Sequence, residues 1–288
     1  MVKENKLVNK INRLLRRLRC PRWLHHFGPK KYEFYEHMAA LLVRYYCGLS
    51  YRRAKKLLDM LGLICPSKSA LQFTAKKIPK WLWDKALEIT SGYKHHIVAI
   101  DSTGLSRTNP SYYYLKRIDG KMPKIPVKLS CSFDTRSKKF CSAKIRVLPA
   151  HDIRDAEYLL GKIKTKKAVL DKGYDADSLH RYCCERDIEV HIPIRDYGKA
   201  KHNNFSCRRK AAKHFRLRIY HRRELIESGF SSMKRKYGSS VNSKSARNIR
   251  ADLYGRLLCH NLFGLINEIQ DRALNIIRFI NSLFVRIS

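Results

Sequence analysis

Two apolar runs in this chain each stop at an aspartate: Ile97-Val98-Ala99-Ile100 before Asp101, and Ala168-Val169-Leu170 before Asp171. Short apolar runs of this kind read as buried strands. An acid at the end of such a strand projects into a cleft held by a rigid sheet. Both aspartates also precede turn formers, Ser102-Thr103-Gly104 and Lys172-Gly173. A strand-exit turn in which Asp accepts from local amides therefore fits each of them as well. Further strands are expected over Pro126–Phe133 and Phe140–Val147, with the turn Asp134–Lys138 between them, and over Ile188–Ile194. Helices are expected over Asp152–Lys162, Asp177–Glu185 and Tyr220–Lys236, and Pro193–Arg218 reads as basic and irregular. Strands in antiparallel-looking succession, then strands alternating with helices, predict an α/β fold: a mixed sheet flanked by helices.

Carboxylates are scarce here, which makes their placement informative. The 288 residues carry 61 Lys and Arg against 24 Asp and Glu, a formal net charge of +37. Such a surface repels itself unless it meets a polyanion, so nucleic acid is the first partner to expect and an anionic membrane the second. Disorder is excluded, because hydrophobic residues make up 44% of the chain. The basic start, Met1 to Arg19, has no apolar core of a secretory signal. The apolar stretch Leu253–Ile287 is broken by charges and does not span a bilayer. Nine cysteines without a spacing rule read as reduced thiols packed as small apolar side chains, so a cytoplasmic chain is expected, and with DNA as its partner a nucleoid-associated one. The pairs His25-His26, His95-His96 and Cys183-Cys184 lack zinc-ligand spacing and are assigned no metal.

Residues 1–92 read as an all-α region. Lys6–Leu18 is a basic amphipathic helix that suits a membrane surface, a partner helix or a phosphate backbone alike. A second helix is expected near Lys31–Cys47. Ser50 then caps a helix Tyr51–Leu61, Gly62 stops it, and Pro66-Ser67 opens another helix to Ile78. The second of this pair carries Lys68, Ser69, Gln72, Lys76 and Lys77, in the manner of a DNA-reading helix-turn-helix, although an ordinary helix pair has the same outline. Trp81–Tyr93 links this region to the next. Tyr112-Tyr113-Tyr114 with Lys116 and Arg117 fits either a grip on DNA or a half-buried aromatic strand.

The helix expected at Tyr220 ties the acids together. At roughly 100° per residue, Tyr220, Arg223, Glu227 and Lys234 form one polar stripe. Leu225, Ile226, Phe230 and Met233 form the apolar face beside it. A plain i,i+4 ion pair accounts for Arg223 and Glu227 but leaves the other coincidences unexplained. Ile97-Val98-Ala99-Ile100-Asp101-Ser102-Thr103-Gly104, then Val169-Leu170-Asp171-Lys172-Gly173-Tyr174-Asp175, then Tyr220-x-x-Arg223-x-x-x-Glu227-x6-Lys234 together resemble the DDE transposases of bacterial and archaeal insertion sequences. The last block matches that group's tyrosine–arginine–glutamate–lysine signature in every position and spacing.

The resemblance covers about residues 95–265. It implies an RNase H-like catalytic domain over 93–265, between the helical region 1–92 and a C-terminal helix 266–288. It also implies that Asp101, Asp171 and Glu227 are the catalytic residues and hold two Mg²⁺ ions, for which Mn²⁺ substitutes. Three carboxylates suit two hard cations about 3.5–4 Å apart, and would repel one another without them. Asp175 and Asp177 lie close to Asp171, but the strand-end position favours Asp171. Arg223 and Lys234 would contact DNA phosphates, Tyr220 a terminal phosphate or sugar, and Lys68, Gln72 and Lys76 the element's ends. The partner implied is double-stranded DNA, bound by a homodimer, with no membrane. Two alternatives stay open: an RNase H-like nuclease without strand transfer, and a non-catalytic DNA-binding protein, either a regulator or a decayed transposase.

Overall fold

A computed structural model describes residues 14–23, 30–63, 65–107, 112–117, 125–148, 150–195 and 206–263. They fall into two units, one within 1–90, 236–238 and 243–288, the other within 91–235 and 239–242. Of the expected helix Lys6–Leu18 only residues 14–18 lie among the described ones, and 14–17 are helical. The expected helix 266–288 lies outside them.

The first unit is helical: α1 Phe34–Tyr46, α2 Tyr51–Met60, α3 Lys68–Lys77, α4 Lys80–Ser91 and α11 Ala246–Phe263. The expected caps are in place. Ser50 Oγ accepts from the Arg53 amide at the start of α2, and Ser67 Oγ accepts from the Ala70 amide at the start of α3. Gly62 follows α2 at φ +70°, the left-handed conformation that a helix stop requires. Leu58, Leu71 and Leu257 are fully buried between these helices. No helix among the described residues is long and apolar enough to cross a membrane.

The second unit is an RNase H-like α/β fold. Its strands are β1 Lys94–Leu105, β2 Val127–Asp134, β3 Lys139–Arg146, β4 Lys164–Leu170 and β5 Glu189–His191. They lie in the order β3-β2-β1-β4-β5, antiparallel from β3 to β1 and parallel from β1 to β5. Helices α6 Ile153–Leu160 and α7 Asp177–Cys184 cover one face through a core that includes Val98, Ile100, Leu159, Leu170 and Leu179. On α10, Glu224–Tyr237, the buried residues Ile226, Phe230 and Met233 form one apolar stripe. Burying each is worth roughly 1.5–3 kcal/mol. Phe230 stacks on Phe140 at 5.7 Å, and Phe140 meets Phe133 edge-on at 5.0 Å. Gly229 lets the helix come this close, since a Cβ there would stand 2.7 Å from the Phe133 ring.

Several elements differ from expectation. β1 does not end at Asp101 but runs on to Leu105, because β2 pairs with it from Val98 through Leu105. The run Ser102-Thr103-Gly104 is strand, held by a partner rather than by its own propensity. Tyr112–Arg117 is a short helix, α5, and not an aromatic strand, with Tyr113 exposed. The expected strand Ile188–Ile194 shortens to β5, because β4 offers it only Lys167, Ala168 and Val169 as partners. Within the basic stretch expected to be irregular, Ser206–His214 forms helix α8. The expected single helix Tyr220–Lys236 is a succession: α9 Leu217–Tyr220, a 3₁₀ turn His221–Arg223, then α10. All nine cysteines are free thiols, five of them buried.

Candidate active site

The parallel pairing of β1 with β4 places the two aspartates side by side. The register ends with Ile100 opposite Leu170, so Asp101 and Asp171 are the next residue on each strand. Beyond that point β4 leaves the sheet into a 3₁₀ turn, Lys172–Tyr174, while β1 continues beside β2. Asp171 is thus exposed where the parallel pairing opens, and Asp101 is partly buried. Asp101 Oδ1 accepts from the Ser102 amide at 2.8 Å. The local bond typical of a turn is therefore present, although the backbone is strand.

Arg223 draws the third acid in. Its Nη1 stands 2.6 Å from Glu227 Oε1 and 3.6 Å from Asp101 Oδ2. The Tyr220 hydroxyl lies 3.5 Å from Asp171 Oδ1, the outer limit of a hydrogen bond. Burial holds the Asp101 carboxyl above its ordinary range; the Ser102 amide and Arg223 oppose this, while the Glu227 and Asp171 charges add to it. Five of the six residues expected in the catalytic domain's site are therefore joined in two sets of contacts, Arg223 with Asp101 and Glu227, and Tyr220 with Asp171. The sixth, Lys234, sits two turns further along α10, partly buried, and burial lowers its pKa. No ion pair joins it to the acids among the described residues. Lys68, Gln72 and Lys76 belong to the first unit, where all three are exposed on α3 while Leu71, Thr74 and Ala75 face inward.

Sequence reasoning missed what holds Asp171 in place. Asp175, four residues on, is buried and saturated with donors. It takes two bonds from Arg208, Nη2 to Oδ2 at 2.6 Å and Nε to Oδ1 at 3.1 Å. The Arg195 amide donates to Oδ2 at 2.7 Å, and His180 Nε2 lies 2.8 Å from Oδ1. Burial alone would raise the Asp175 pKa, but these donors outweigh it and hold the carboxyl well below the usual range. Arg195 also donates to the carbonyls of Lys172 and Gly173, the turn directly after Asp171. No periodic pattern joins residues 175, 180, 195 and 208. The one available signal was a second acid in a chain that has few.

The donor set suits a hard divalent cation: carboxylate oxygens from two strands and a helix, with two of the acids facing one positive group. That group is the Arg223 guanidinium. Among the described residues, no group of three or more His, Cys, Asp and Glu side chains stands close enough together to hold a metal ion.

No curated protein matches the chain. The cryo-EM structure of the piggyBac transposase synaptic complex with hairpin DNA is similar over 97% of this chain and 77% of that one, at 10% identity and a TM-score of 0.46. The model of the family described as "Transposase DDE domain" matches residues 92–262. That span is more than half of the chain and contains every carboxylate and cation of the site, so the chain belongs to the transposase DDE domain family.

Proposed function

We propose that the chain is an insertion-sequence transposase, which binds the terminal repeats of its element and catalyses DNA cleavage and strand transfer. The observation that carries this reading is the convergence of Asp101, Glu227 and Arg223 beside Asp171 and Tyr220. Asp101, Asp171 and Glu227 would hold two Mg²⁺ ions, with Mn²⁺ as substitute; such a pair supplies an activated oxygen nucleophile and neutralises charge at the phosphorus. Arg223 is the group that changes partners. It releases the carboxylates and offers its planar fork to a phosphate, a bidentate ligand of the same shape. Tyr220 contributes a hydroxyl beside Asp171 for a terminal phosphate or sugar, and Lys234 a point charge further along the DNA. Helix α3 presents Lys68, Gln72 and Lys76 to the element's end. Since each active site serves one end, two protomers act together on the DNA.

The test supplies Mg²⁺, a duplex ending in the terminal repeat and a target duplex. Wild type is expected to yield joined product. Asp101→Ala and Glu227→Ala are expected to lose it by a factor of about 10²–10³ or more. Full strand transfer by either variant overturns the assignment. Cleavage by wild type with no joined product identifies a nuclease, and binding with neither identifies a non-catalytic DNA-binding protein.

A further inference from the structure

A cleft of about 300 Å³ lies between the end of α3, the start of α4 and the first turns of α11, all within the helical unit. Lys76, Lys77, Lys80, Arg247 and Arg250 line it, and no carboxylate does. Asp84, bonded to two of the lining residues, is already committed. It accepts from Lys80 Nζ and, at 2.7 Å, from the Tyr254 hydroxyl. Trp83 and Tyr254, both in the lining, stack at 6.1 Å with an angle of 18° and are buried. The wall behind the cations is therefore firm.

Two features make this arrangement unfavourable for the chain by itself. Like charges gathered in one concavity repel, and Lys76, Arg247 and Arg250 have no acidic partner among the described residues. Arg247 and Arg250 also sit at the start of an 18-residue helix whose first turn holds no acid. The positive end of a helix favours negative groups, so two arginines there oppose the local electrostatics. An anion in the cleft relieves both conflicts at once, and the α11 N-terminus adds its own attraction. A local rule broken without internal compensation is the usual mark of a binding site.

Lys76 lies on the exposed face of α3 with Lys68 and Gln72, and its neighbour Lys77 stands over the exposed Phe73 ring at 4.4 Å. The cleft therefore begins where the proposed base-reading face ends. The geometry points to a phosphate-gripping site: the cleft holds the backbone of the same duplex whose bases α3 meets, independently of sequence. This rests on the reading of the chain as a DNA-binding transposase. Phosphate contacts of this kind fix register and orientation, leaving discrimination to groups at base edges.

The test uses the full chain, a duplex ending in the terminal repeat and a scrambled duplex of equal length, with fluorescence anisotropy read over a range of salt. Arg247→Gln/Arg250→Gln is compared with Lys164→Gln/Lys166→Gln, which removes the same charge from the exposed start of β4. The cleft variant is expected to weaken binding to both duplexes by the same factor. It is also expected to lower the slope of log K against log salt by about 1.8, two phosphates at about 0.9 each, well beyond the control. Equal slopes for the two variants, or a loss confined to the terminal repeat, overturn the proposal. A change only in stabilisation by inorganic phosphate, with DNA binding intact, overturns it too. If wild type binds no duplex, the transposase reading falls together with the cleft; if wild type binds and the cleft variant is unaltered, the cleft alone falls.

Discussion

Asp175 and the pair Asp101–Glu227 are acidic centres of the same unit, and they are finished to different degrees. Asp175 has its charge matched by Arg208 and both oxygens occupied by donors. Asp101 and Glu227 share one guanidinium, and their mutual repulsion helps to push Asp101 up. A buried carboxylate whose lone pairs are filled is a piece of framework, with nothing left to offer a ligand. Carboxylates that are crowded and under-satisfied still have binding capacity, and this is what a cation site requires.

The sharpest way to break the comparison is to remove the saturated acid. Asp175→Ala is expected to destabilise the fold by about 3–5 kcal/mol, because it removes the buried carboxylate paired with Arg208. Urea unfolding measures this, and a value below about 1 kcal/mol would mean that Asp175 is not framework. A smaller effect follows from acid. The folded Asp175 carboxyl stays ionised below the ordinary carboxylate range. As pH falls through about 4 the unfolded chain takes up the proton first. The stability Asp175 contributes is thus complete above that pH and lost progressively below it. The gap in urea midpoint between wild type and Asp175→Asn should hold steady from pH 7 to 5 and narrow towards pH 3. The smallest effect belongs to the open centre. Arg223→Gln should change stability by less than about 1 kcal/mol, since Glu227 is half exposed and water screens the pair. A larger loss would put Arg223 among the framework residues.

The same contrast explains what could be read from the chain. Asp101, Asp171 and Glu227 were visible because each sits in a local pattern, a strand end or a helical stripe, that survives in one dimension. The continuation of β1 past Asp101 was hidden, because Ser102-Thr103-Gly104 carries turn chemistry and only β2 makes it a strand. Helix α8 was hidden in the same way, in a basic stretch, Ser206–His214, with little apolar periodicity. Asp175 was visible as a residue, yet its role depends on Arg195 and Arg208, whose closeness in space has no counterpart in the sequence.

The glycine of α10 has a further consequence. Gly229 is two positions beyond Glu227, hence on roughly the opposite side of the helix. It rests against a Phe133 ring that Phe140 backs. The gap between the helix-borne acid and the strand-borne acids is thus gauged from behind, by a hydrogen atom where any other residue would insert a carbon. A methyl at 229 acts as a shim, tilting the glutamate out of alignment without touching any charge. The tolerance of the acidic cluster is in this sense a property of hydrocarbon packing.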